Sequence, residues 1–159
     1  MNQVNQDSII ETLAESEETI GRLYQAYASR FPEYNELWMG LADQEKNHAA
    51  WIRNLGEKVH AGQVFLQADR FKVPAIRTFI NHTEKEIETT KNPALKSINA
   101  LSVAFYIEDS LIERKYFEVF ESDSTELKKL LQDLAEATKT HATKIKTEWD
   151  KERQRTGKK

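Results

Sequence analysis

The sequence predicts an all-α fold, a bundle of four long helices with an additional helix in one long connection. Three observations predict it. Charged residues make up 31% of the 159-residue chain, with only five Gly and three Pro, a composition suited to long solvated helices. Five stretches carry apolar residues at alternating steps of three and four, which lays one apolar stripe along a helix. Short breaks separate the first helix from the second and the fourth from the fifth, which makes each pair antiparallel neighbours. A chain of 159 residues fits one domain and can bury a core without staples.

Taken in order, residues 1–7 are expected to be a flexible N-terminus and residues 8–150 the bundle. Asp7 or Ser8 can cap the first helix, whose stripe is Ile10, Leu13, Glu17, Ile20, Tyr24, Tyr27 and Phe31. Pro32 ends it, since proline disfavours a helical residue before it. The second stripe is Tyr34, Trp38, Leu41, Glu45, His48, Ile52, Leu55 and Val59. Residues 60–72 lose the period and read as a crossover loop. Pro74 opens a third helix with the face Ile76, Phe79, Ile80, Thr83 and Ile87. The fourth helix is expected from about Pro93 to Glu121, with the stripe Ile98, Leu101, Phe105, Glu108, Ile112, Tyr116 and Val119. The fifth runs to about Trp149 on Leu127, Leu131, Leu134, Thr138, His141 and Ile145. Residues 151–159 hold five Lys or Arg and no apolar period, and are expected to be a disordered tail.

Composition excludes several functions. Without Cys there is no disulfide, zinc–thiolate site, iron–sulfur cluster or thiol nucleophile. A net charge of −3 supplies no large basic surface and argues against nucleic acid as a partner. No apolar run approaches the ~20 residues of a membrane span. The polar start, Met1 to Ser8, lacks the parts of a signal peptide, so a cytoplasmic protein is expected.

Each long helix interrupts its apolar stripe near the middle with a polar group. Glu45 and His48 are three apart and share one face of the second helix. Alone, this pair has two readings: a stripe edge facing water, or a buried metal-binding pair. The other helices add context. Glu17 precedes Glu45 by 28 residues and Glu108 precedes Thr138 by 30, so both hairpins place an acid opposite a polar pair at similar height. Packing the hairpins together brings Glu17, Glu45, His48, Glu108 and His141 into one layer. Three carboxylates and two imidazoles confined together are desolvated and mutually repelled unless a cation joins them. Carboxylate and imidazole donors suit iron or manganese, with zinc possible.

These segments, Glu17 to Tyr24, Glu45 to Ala49, Glu108 to Tyr116 and the helix around His141, resemble the ferritin-like superfamily in its rubrerythrin-like branch. The resemblance covers roughly residues 8–150 and implies a ferritin-like topology with a di-iron centre. It implies Glu17, Glu45, His48, Glu108 and His141 as metal ligands, and Tyr24 and Tyr116 as donors steadying the carboxylates. It also implies a homodimer. Two departures stand out. Thr138 occupies the place of the second Glu-x-x-His carboxylate, beside the metal rather than on it. The absence of Cys removes a rubredoxin-type electron-delivery domain, so a reductant would have to come from another protein. Three functional readings stay open at this stage. They are a non-haem oxidoreductase acting on peroxide or dioxygen, a metal-binding bundle without turnover that holds one ion or serves iron handling, and a metal-free interaction domain.

Overall fold

The structure, a computed structural model, describes residues 3–66, 72–114, 120–121 and 124–157. Among the described residues the elements are α1 (Gln3–Arg30), α2 (Asn35–His60), β1 (Phe65–Leu66), α3 (Val73–Thr89), α4 (Ser97–Arg114), β2 (Phe120–Glu121) and α5 (Thr125–Thr156). A single turn of 3-10 helix, Pro32–Tyr34, joins α1 to α2. The fold is all-α.

Side-chain pairings fix how the helices run. His60 pairs with Asp7 and Arg53 with Glu11 and Glu18, so α2 runs antiparallel to α1. Arg77 pairs with Glu15, and Arg22 with Glu84 at 3.2 Å, so α3 runs parallel to α1 and carries the chain back to the end of the bundle where α1 stops and α2 begins. Arg30 then reaches the Pro93 carbonyl at 2.8 Å, where the chain turns into α4. Tyr24 meets Glu108, Phe105 stacks on Trp149 and Ser97 bonds Glu152, so α4 descends and α5 ascends. The four long helices therefore run up, down, down and up. The long connection that this order requires is the expected crossover helix.

The core follows the predicted stripes on α1, α2 and α3. Trp38 is fully buried between Tyr24 and Tyr27, with ring centroids 5.6 and 5.1 Å away. On α1 a second strip is buried too: Thr12, Ser16, Thr19 and Leu23. Periodicity alone missed it because three of its members are hydroxyl residues. Each hydroxyl bonds a carbonyl of its own helix (Ser8, Leu13 and Glu15), which removes the cost of burying it. With α2 and α3 both packed along it, α1 has two covered sides. On α4 the buried strip is rotated toward Ala100, Leu101, Ala104 and Ile107, leaving Ile98 and Phe105 only half-buried.

Three expected boundaries are corrected. The first helix begins at Gln3, so Asp7 and Ser8 lie inside it rather than capping it, and Asp7 is held there by His60. At the other end α5 continues past Trp149 to Thr156. Polar contacts hold these last turns where the apolar period has stopped. Glu152 accepts hydrogen bonds from Tyr34 at 2.8 Å and Ser97 at 3.0 Å, and pairs with Arg155 at 3.5 Å. The fourth helix is described to Arg114, and residues 120–121 are extended instead of helical. There Phe65 and Leu66 pair antiparallel with Glu121 and Phe120. A strand partner distant in sequence supplies the backbone hydrogen bonds that further helix would have made. No helix among the described residues is long and apolar enough to cross a membrane.

Close helix approach is marked by Gly56. A Cβ there would lie 2.8 Å from Ile10 Cγ2, whereas one at Gly40 would meet nothing within 4 Å. Gly56→Ala is expected to destabilise the fold by about 1–3 kcal/mol through overpacking. Gly40→Ala, which meets only the gain in helix propensity, is expected to stabilise it by up to ~1 kcal/mol. Urea denaturation of the two variants checks both signs.

Candidate metal centre

The polar layer lies at mid-height of the bundle, where all four long helices contribute. α1 presents Glu17, α2 presents Glu45 and His48 one turn apart, α4 presents Glu108, and α5 presents Thr138 and His141. All six are buried, at 0–2% exposure for Glu17, Glu45, Glu108 and His141, 6% for His48 and 7% for Thr138. The water-facing reading of Glu45 and His48 is thereby excluded.

Glu45 is the hub. Its Oε2 lies 3.1 Å from His48 Nδ1 and its Oε1 lies 2.9 Å from His141 Nδ1. Glu17 Oε2 approaches His48 Nδ1 at 3.6 Å, and Glu108 Oε2 approaches His141 Nδ1 at 3.8 Å. The two imidazoles stack, with centroids 5.2 Å apart and planes 14° from parallel. Tyr24 donates its hydroxyl to Glu108 Oε1 at 2.5 Å. Glu45 Oε1 and His141 Nδ1 meet as an ion pair at 2.9 Å. Together with Glu108 Oε2 they are buried polar atoms without a hydrogen-bond partner. Orphaned buried polar atoms are rare and costly, and three converging on one point mark a place for a cation. Glu45, His48 and His141 each offer a donor atom within 4.8 Å of the others.

Protons balance the charge of the layer when no metal is there. Burial pushes the Glu17 carboxyl up to about 8, with the neighbouring Glu45 adding to the shift and His48 opposing it. Burial also holds Glu108 well above the carboxylate range, and the charge of Glu45 raises it further. Burial pushes Glu45 upward as well, but its contacts with His141, His48 and Glu17 outweigh that and hold it at about 2. Burial lowers His48, yet Glu17 and Glu45 overcome this and raise it to about 10. Tyr24 is raised well above its ordinary value by burial and by Glu108, so it remains a hydroxyl donor. A metal ion would have to displace protons from His48, Glu17 and Glu108, because ligation needs neutral imidazole and ionised carboxylate.

The Rubrerythrin family model matches residues 9–149. The chain belongs to the rubrerythrin family. No curated protein and no solved structure matches the chain significantly. The family is built on a ferritin-like di-iron carboxylate domain, so the resemblance read from the sequence is a family relationship.

Every proposed ligand read from the sequence is brought into this one layer. Tyr24 takes the expected place beside a carboxylate, while Tyr116 lies outside the described residues. Thr138 is buried in the layer, on the same face as His141. Among the described residues there is no other close group of His, Asp and Glu that could share an ion. On the α2/α5 side lie two open grooves of about 500 and 380 Å³, lined among others by Leu41, Gln44, Thr140 and Lys144.

Two measurements test this electrostatic arrangement. His48 and Glu17 have raised values, so their contributions are complete below the ordinary 6.5 and 4.5 and are lost as pH rises through about 10 and about 8. Glu45 has a lowered value, so its contribution is lost as pH falls from 4.5 through about 2. The metal-free protein is therefore expected to be most stable near pH 4.5 and to lose stability steadily from there toward pH 10, which urea midpoints across that range check. Tyr24→Phe leaves Glu108 without its hydroxyl donor and is expected to cost about 1–3 kcal/mol in the same assay.

Proposed function

We propose that the protein binds iron in this layer and uses it to reduce peroxide or dioxygen. The observation that carries the reading is the buried Glu45–His48–His141 group with its orphaned donor atoms, set in a chain of the rubrerythrin family. Glu17, Glu45, Glu108, His48 and His141 would hold the metal, a mixed oxygen and nitrogen donor set that suits iron, accepts manganese and tolerates zinc. Bound iron supplies one-electron redox chemistry that no side chain here possesses.

The chain's own residues would position and shield. Tyr24 fixes the Glu108 carboxylate through its hydroxyl, which limits the orientations open to that ligand. The burial of the layer excludes bulk water. Reduction of peroxide consumes two electrons and two protons and yields two waters. The electrons would come from a one-electron donor, which we propose is another protein. A homodimer in the cytoplasm belongs to the same proposal. A second reading, metal binding without turnover, is favoured by one observation: Thr138 provides no carboxylate where the second half of the layer would use one.

Anaerobic loading with ferrous iron, followed by elemental analysis and an absorption spectrum in air, tests the proposal. Bound iron with an oxo-to-ferric band and peroxide consumption in the presence of a reductant is expected. Bound iron without turnover selects the second reading. The combined Glu45→Ala and His48→Ala variant is expected to lose the metal and the associated rise in Tm. No metal on the wild-type chain, and a Tm that does not respond to ferrous iron, would leave the layer a metal-free polar network.

A further inference from the structure

We infer that the layer holds one divalent ion per chain, not two, and that Thr138 sets this number. The inference rests on the metal-binding reading above and deepens it.

The donors are unequally distributed. The α1/α2 half is complete, with Glu17, Glu45 and His48. The α4/α5 half has Glu108 and His141 but a neutral hydroxyl at Thr138, three residues before His141, where Glu45 stands three before His48. Glu45 has no counterpart acid on α5 with which to form a two-carboxylate bridge. Its two oxygens instead face the two imidazoles, at 3.1 and 2.9 Å. The donor atoms of Glu45, His48 and His141 lie within 4.8 Å of one another. That spacing suits one shared ion, whose ligand atoms at bonds of about 2.0–2.2 Å stand roughly 3–4 Å apart after small adjustment.

Charge points the same way. With neutral imidazoles the three carboxylates carry three negative charges. Two divalent ions would leave a net positive charge in a layer no more than 7% exposed, with no fourth acid among the described residues to meet it. One divalent ion leaves a net negative charge, and for that the structure has a built-in partner. The Tyr24 hydroxyl already donates to Glu108 Oε1 at 2.5 Å, so Glu108 is the carboxylate stabilised by a donor other than metal. An uncompensated buried charge is strongly disfavoured, whereas one held by hydrogen bonds is tolerated.

The experiment loads the full chain anaerobically with ferrous iron and, in parallel, with Mn(II). Metal is counted against protein by elemental and amino-acid analysis, and the Mn(II) sample is read by electron paramagnetic resonance. The wild type is expected to bind one ion and to give the resolved hyperfine pattern of an isolated Mn(II). Thr138→Glu is expected to bind two and to give the spectrum of a coupled pair. Thr138→Gln, similar in size but neutral, is expected to stay at one. Two ions on the wild type would overturn the inference and leave the metal-binding reading intact. A count of one in Thr138→Glu would overturn the role of Thr138. If Thr138→Glu does not fold, Thr138→Asp carries the same count. No ion on the wild type would overturn both readings at once.

Discussion

Burying five ionisable side chains in one layer is the constraint on which this molecule depends. Each of Glu17, Glu45, His48, Glu108 and His141 has left water, and none could do so alone. They are tolerable only as a set. Protons shared among them, or a cation placed between them, must cancel the charge. The fold is the device that keeps the set together, since each long helix brings part of it and no hairpin holds it all. Losing one member is therefore not a local event: it leaves its neighbours with charge that nothing meets.

That constraint also explains why the site was legible in the sequence. A carboxylate in the middle of an apolar stripe is expensive enough to demand a reason. Three such carboxylates, with His48 and His141 at matched heights, left few reasons available. The stripes of α1, α2 and α3 carried strong periodicity and, apart from half-buried Val59 and Ile87, are buried as read. The layer followed from them, because two antiparallel hairpins with spacings of 28 and 30 residues bring their interruptions to similar heights.

What was not legible has physical causes. Thr12, Ser16 and Thr19 look polar, but their hydroxyls bond their own helix and behave as small core residues, which hid the second packed side of α1. Small Ala100 and Ala104 drew α4 inward on a face that Ile98 and Phe105 had obscured by their size. The ends of α1 and α5 are set by ion pairs and by the junction at Glu152, which carry no hydrophobic signal. The pairing of residues 65–66 with 120–121 joins segments whose partnership no local pattern encodes.

The junction at Glu152 has a consequence for traffic. It ties the start of α2, through Tyr34, and the start of α4, through Ser97, to the last turns of α5. At the opposite end the strand pair clips the connection after α2 to the one before α5. A bundle fastened at both ends cannot open like a fan, so a path from solvent to its middle runs sideways between helices. The layer is least covered at His48 and Thr138, which belong to α2 and α5, and the two open grooves lie along that same pair of helices. Thr138, where the layer presents a neutral hydroxyl, is thus also the layer's threshold, where its chemistry and its exposure meet.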